Sequence, residues 1–401
     1  MEAKFIQIFA YLAMTYTLDG FLMSASRRLR LPDFIAHILT GVVLGGVVLI
    51  YSHLFGYKTV PDFVDNQFVA FLSYFGMILF LMQMGFSFDL KFFRVNRERI
   101  VPQVIIFLLL NVLVMGTVGY FGLTHQSFQA TALLIIAFLS INIGALLTSN
   151  FPLNPTLKRP ITNLIQTAVV VDLIAILFFT GMDLVRYWSD YDGTNLVNVA
   201  VYTFILILFL LPLLIPEKMT KLYNATERWI GEFTTVFKIG VFFVFLFACL
   251  KLGVSVLLVG IWGGMVFRNL AGENRFDVAE QTFALSSFLY VLPFVQIGQL
   301  LILLWKDYVF FWSSLAYILI GLILVSTIFG LIFLKKQRYA KLLAMGVFAR
   351  GELTLLILWL GFRVNYIGKE LFIVSVIAVI LSSLIGKAMF LRPFEAQQQS
   401  T

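Results

Sequence analysis

The chain has 401 residues, 60% of them from the AVILMFWYC set and only 12% charged, with a mean hydropathy of +0.95. Water-soluble domains carry about 25% charged residues and 45–50% apolar ones, so this composition excludes a soluble protein and describes a polytopic membrane protein. The net charge of +8 would suggest nucleic acid in a soluble chain; here it is explained by topology, and no nucleic-acid partner is expected.

Long apolar runs without strand-period alternation exclude an outer-membrane barrel. At about 20 residues per crossing, the sequence predicts an all-α protein of about 13 transmembrane helices. They fall at 5–25, 33–51, 66–86, 100–121, 127–149, 160–181, 196–215, 233–250, 252–267, 283–304, 308–334, 342–362 and 368–390. The start, Met1-Glu2-Ala3-Lys4, lacks a clear n-region and cleavage site and reads as an uncleaved first span. Only Lys251, Leu252 and Gly253 separate segments eight and nine. No connection is long enough to fold by itself, so residues 1–401 read as one transmembrane transporter domain without a soluble C-terminal domain. Its core segments are expected at 100–181 and 308–390.

The cations set the orientation. Of the 29 Lys and Arg residues, 20 lie on the odd-numbered connections and the C-terminal tail, among them Arg27, Arg28, Arg30, Lys335, Lys336 and Arg338. Only 7 lie on the other side, from Lys4 to Lys369, and Lys238 and Arg350 fall inside spans. That imbalance predicts an outside N-terminus and a cytoplasmic C-terminus.

One cysteine, Cys249, and three scattered histidines, His37, His53 and His125, leave no disulfide framework and no transition-metal site. No GxGxxG or GxxxxGK[ST] stretch occurs, so ATP-driven pumping and nucleotide sensing are not expected. No cofactor is implied. With no nucleophile–base pair either, enzymatic chemistry is not expected.

Charge at mid-bilayer is expensive, which makes the charged residues within spans informative. Asp172 sits in the middle of segment six, in Ala168-Val-Val-Val-Asp172-Leu-Ile-Ala-Ile176, about 18 Å of helix from Pro160. A carboxyl there can release a proton when a cation arrives and take one back when it leaves; alternatively it locks two helices by a hydrogen bond. Arg350 and Glu352 flank Gly351 in segment twelve, where an ideal helix would turn them different ways. A broken helix would let them approach each other or neutralise exposed half-helix ends. Segment five has a comparable soft patch, Ser140-Ile-Asn142-Ile-Gly144.

Segments five and twelve are seven apart, so units built around them would lie inverted in the membrane. Interrupted segments at matching positions of inverted repeats point to a transporter binding site at the bilayer midplane. Asp19 reads as a packing or interfacial residue, and Gln83, Asn111, Asn163 and Gln166 as interhelical hydrogen-bond partners. The pairs Gly41/Gly45 and Gly260/Gly264 have GxxxG spacing, a sign of close helix packing.

Several motifs recur in one order along nearly the whole chain. They are Leu31-Pro32 through Gly41 and Gly45; Phe75-Gly76 through Gly85 and Asp89; Leu252-Gly253-Val-Ser255 through Gly260 and Gly264; Pro293-Phe294 to Gly298; and Arg350-Gly351-Glu352. With these motifs the chain resembles the monovalent cation:proton antiporter-2 (Kef-type) transporters, membrane domain only. The resemblance implies a homodimer in which each subunit has a scaffold and a mobile core, with the broken fifth and twelfth segments crossing near the site. It places the cation- and proton-binding aspartate at Asp172.

The sequence departs from that pattern at Val171, where relatives are often polar, at Asn142, commonly Thr, and at Thr327, where many relatives carry a lysine. The expectation is therefore secondary exchange of Na⁺ or K⁺ for a proton, electroneutral because one carboxylate carries either one cation or one proton. Asp172 and Asn142 would bind the ion, with Ser140, Thr327, Arg350 and Glu352 in support. An uncoupled channel or uniporter, or a transport-inactive sensor or assembly paralogue, remains open at this point. The partners expected are monovalent cations, protons and the lipid bilayer, by fold analogy that of the bacterial inner membrane.

Overall fold

A computed structural model of the chain describes residues 2–54, 67–87, 90–123, 127–141, 155–189, 199–207, 221, 234–271, 287–305, 312–334 and 346–398. Among the described residues the architecture is all-helical. In chain order the helices are α1 (Glu2–Arg28), α2 (Asp33–Leu54), α3 (Gln67–Ser87), α4 (Leu90–Thr117), α5 (Phe128–Leu139) and α6 (Pro155–Ser189). A helical stretch at 199–207 is α7. Then follow α8 (Thr234–Lys251), α9 (Val256–Ala271), α10 (Val291–Trp305), α11 (Trp312–Phe329), α12 (Glu352–Arg363) and α13 (Lys369–Gln398).

Each expected segment thus has a helical counterpart, although much of segment seven lies outside the described residues. Among the described residues, eight helices are long and apolar enough to cross a membrane, and three shorter ones are apolar. The narrow boundary between segments eight and nine is a tight turn. There Gly253 takes a positive φ of 74°, and a Cβ on it would run into the ring of Tyr187. The Tyr187 hydroxyl donates to the Lys251 carbonyl at 3.0 Å.

The chain divides into two compact units, one made of residues 1–70, 90–175 and 291–401, the other of 71–89 and 176–290. In the second unit α3 packs on α9 through glycine. A Cβ on Gly260 would meet Ile78 and Leu81, one on Gly264 would meet Met82, and one on Gly85 would meet Ile261. Arg268, at the end of α9, donates to the Phe86 carbonyl at 2.9 Å. Small residues let helix backbones approach closely, which substitutes for the hydrophobic force that lipid cannot supply.

The first unit uses the same device between α2 and α10. Gly41 lies against the backbone of Val295, and Gly298 lies reciprocally against that of Ile38. Next to this contact, Tyr11 of α1 donates to Gln299 at 3.1 Å. Asp19 meets His37 Nδ1 at 2.7 Å and accepts from Thr40 at 3.1 Å.

The rest of this unit shows an internal repeat. α4 ends in a π-helical turn, Val118–Gly122, and α11 ends in another, Gly330–Leu334. Each is followed by a short helix, α5 or α12, and then a long one, α6 or α13. α4 and α11 pack together, with Phe107 and Phe329 edge to face at 5.5 Å. Gly361 lets α12 close on Leu133 of α5, and Phe362 stacks on Phe372 of α13 at 4.7 Å.

Of the amides expected to bond between helices, Asn111 does not do so among the described residues. Asn111 is buried with neither side-chain polar atom hydrogen-bonded among the described residues, and Gln166 Oε1 is likewise unpartnered. The α4–α6 bond comes from Thr167, which donates to Gln103 at 2.8 Å and also reaches the Asn163 carbonyl.

Candidate functional site

α5 starts at a Ser127 cap that accepts from the Ala130 N–H. It stops at Ser140, whose backbone turns extended (φ −62°, ψ 134°). An α-helix leaves its last carbonyls without intrahelical partners, so this break exposes acceptors in the middle of an apolar unit. It also frees a donor. The Ile141 N–H points to Asp172 Oδ1 at 3.4 Å, and the Ser140 hydroxyl hydrogen-bonds the same carboxyl group. Asp172 is 5% exposed and Ser140 2%.

The second break runs through Ala349, Arg350 and Gly351, and α12 begins at Glu352. Gly386 of α13 makes room for it, since a Cβ there would press on Ala349. Arg350 is fully buried. Its Nη1 donates to the carbonyls of Val347 and Ala349, and its guanidinium lies over the Phe107 ring, 5.8 Å from the centroid. Nε and Nη2 find no acceptor among the described residues. Asp172 feels the charge of both Arg350 and Glu352. Glu352, partly buried, stands at the N-terminus of α12, where the helix dipole favours a negative group.

The structure therefore brings Ser140, Asp172, Arg350 and Glu352 into one electrostatic neighbourhood at the two helix breaks. Asn142 lies outside the described residues. Thr327 is not in this buried group: its side chain is exposed on α11, whereas its neighbour Ser326 is buried and donates to the Ile323 carbonyl at 3.0 Å. Ile141, which contributes through its backbone, was not singled out in the sequence; backbone donors have no residue-type signature, and only the predicted break pointed to it. No group of three or more His, Cys, Asp or Glu residues able to hold a metal ion occurs among the described residues. One carboxylate, a hydroxyl and backbone groups form a hard-oxygen environment suited to a monovalent cation or a proton.

Comparison with known proteins bears on the fold and the family. No curated protein matches the sequence, whereas 44 chains of solved structures match the fold. One is the sodium proton antiporter MjNhaP1 from Methanocaldococcus jannaschii, which aligns with a TM-score of 0.68 at 14% identity, covering 96% of this chain and 99% of that one. The family model for the transmembrane sodium/hydrogen exchanger matches residues 13–395. The chain thus belongs to the sodium/hydrogen exchanger family, an integral membrane transporter that exchanges a cation for a proton and not an enzyme.

Proposed function

We propose that exchange runs through Asp172, which carries either one monovalent cation, Na⁺ or K⁺, or one proton, and presents it alternately to the two sides of the membrane. The observation that carries this reading is the position of Asp172 at the α5 break. It is the buried carboxylate to which the interruption supplies an N–H and a hydroxyl. Asn142 and carbonyls of the interrupted fifth segment would complete the cation's coordination. Arg350 and Glu352 would hold the second break, and segments 100–181 and 308–390 would move as the core of a single transporter domain. Thr327, exposed on α11, offers no second titratable group. This favours 1:1, electroneutral exchange.

Within the family, the ordered motifs from Leu31 to Glu352 favour the Kef-type branch. We also infer a homodimer in the bacterial inner membrane, with the N-terminus outside, which the 20-to-7 distribution of cations favours. Family membership favours coupled exchange over an uncoupled channel or a transport-inactive paralogue.

The test is proton flux in proteoliposomes holding a pH gradient, on addition of Na⁺, K⁺ or Li⁺, with Asp172→Asn in parallel. A cation should collapse the gradient in the parent and not in the variant. A membrane potential alone should drive no cation flux, and a clear voltage-driven flux would sink the 1:1 stoichiometry.

A further inference from the structure

α1 has two opposite faces. Ile8, Tyr11, Thr15, Asp19 and Ser26 are buried, and hydrogen bonds from Tyr11 to Gln299 and from Thr40 to Asp19 hold that face in place. The opposite face is open, and of the eight long apolar helices α1 is the least buried. Along it Ala10, Ala13, Thr17, Gly20 and Ser24 recur at alternate steps of three and four residues, all of them exposed, so they line one straight stripe. A Cβ on Gly20 would meet nothing within 4 Å. Phe9, Met14 and Phe21, larger and also exposed, stand along the edges and make the stripe a shallow groove.

The groove ends at a cluster of positive charge. Arg27, Arg28 and Arg30 are all exposed at the turn into α2. The turn's one carboxylate, Asp33, lies 3.8 Å from Arg27, and three arginines less one aspartate leave an excess of two positive charges over residues 27–33. The Leu31 N–H donates to the Ser26 carbonyl and the Arg30 N–H to that of Arg27, a helix ending whose left-handed position glycine ordinarily fills. Here Arg30 fills it, with φ 56°. The tendency of cations to gather on one side of a membrane would be met by an arginine at a neighbouring position, without that backbone strain. Between the arginines Leu29 is 70% exposed, an apolar side chain suited to hydrocarbon beside guanidinium groups suited to headgroups. From Thr17 to Arg27 the groove runs about 15 Å, the depth of one hydrocarbon leaflet.

We propose that the α1 groove and the arginine turn form a binding site for an anionic phospholipid. One acyl chain lies along Thr17, Gly20 and Ser24, and the headgroup phosphate accepts hydrogen bonds from Arg28 and Arg30. Guanidinium matches phosphate in shape as well as charge, since its N–H groups bond two phosphate oxygens at once. A zwitterionic lipid offers the same phosphate but carries its own cation, which the positive turn repels. The site is independent of the carboxylate that carries the transported ion.

The experiment is the melting temperature of the purified full-length protein in a mild nonionic detergent, titrated with phosphatidylglycerol or with phosphatidylcholine of the same acyl chains. A ligand that binds the folded state stabilises it, so phosphatidylglycerol should raise the melting temperature and phosphatidylcholine should raise it less. In Arg28→Gln/Arg30→Gly the phosphatidylglycerol concentration giving half the rise should increase about ten-fold. Glycine relieves the left-handed position, so this variant's melting temperature without lipid should not fall, which separates lost binding from lost folding. Arg97→Gln/Arg99→Gln, which removes as many exposed cations from α4, should leave the response unchanged. Gly20→Leu, which fills the groove, should weaken the response without changing the number of subunits. Equal rises with both lipids, no rise with either, or a full response in Arg28→Gln/Arg30→Gly overturns the proposal. An equal loss in Arg97→Gln/Arg99→Gln also overturns it, in favour of diffuse surface charge. So does an equal rise with inorganic phosphate, which would make the turn a site for a free anion. A Gly20→Leu variant that breaks into smaller assemblies while keeping the lipid response overturns it too, because the stripe is then an interface between copies of the chain.

Discussion

The two helix breaks do different work with the same backbone device. The one after α5 is electrically neutral. It offers a hydroxyl and an N–H to Asp172. The one before α12 is charged, with Arg350 buried in the break and Glu352 at the helix start. A cation that must bind and leave again is best held by one carboxylate and weak neutral ligands, because a second full negative charge beside it would slow release. On the proposed reading, the charges at the other break hold the unwound backbone together and bias the field at the site. In that proposal, binding and charge setting are separated between the two breaks.

The sharpest way to break this division is at Asp172 itself. If the neutral break serves a single carboxylate, Asp172→Asn should lower exchange by about 100-fold or more, since no second carboxylate carries the ion. The initial rate of cation-driven pH change measures it, and more than a tenth of the parent rate would mean that Glu352 also carries cargo.

At the charged break, Arg350→Gln should cost stability first and transport second. The guanidinium satisfies the carbonyls of Val347 and Ala349, and a lost charged hydrogen bond costs about 1.5–3 kcal/mol. A lowered melting temperature in detergent is the expected result, with partial recovery in Arg350→Lys. An undiminished melting temperature combined with abolished exchange would make Arg350 part of the binding machinery and dissolve the contrast between the breaks. Gly361→Val tests how the breaks are held near each other. The new side chain would press on Leu133 of α5, and overpacking costs about 1–3 kcal/mol. Gly181→Val, where a Cβ meets nothing within 4 Å, is the control expected to keep its melting temperature. Equal loss in both would refute close α5–α12 packing.

Much of this was legible in the sequence because hydrocarbon makes polarity expensive. Asp172, the patch at Ser140 and the Arg350-Gly351-Glu352 triplet are exceptions to otherwise apolar spans, and each lies at or beside a break. The glycine pairs were legible for the related reason that lipid gives helices no hydrophobic motive to associate. What could not be read was register. Asp19 and His37 are 18 residues apart on different helices, and nothing in either span shows that their faces meet. Asn111 looked like an interhelical partner from residue type alone, yet its amide is unpartnered among the described residues, while Thr167 and Gln103 bond between α6 and α4. Thr327 was placed in support by its position in the motif pattern. Its rotation about α11, which turns it outward and Ser326 inward, is set by packing against α4 and α13.

The smallest expected effect is at the neutral break, and it best separates neutral ligation from charge setting. Ser140→Ala removes one hydroxyl from Asp172 and leaves the extended backbone and the Ile141 donor in place. One hydrogen bond contributes about 1 kcal/mol net, so the apparent KM for the cation should change by about five-fold with little change in maximal rate. A hydroxyl that bound the cation directly raises KM when removed. One that only held the bare carboxylate competes with the cation, and its loss lowers KM. The direction of the change therefore tells whether the end of α5 supplies a ligand to the ion or a resting partner to Asp172, and an unchanged KM would show that the backbone of the break does this work alone.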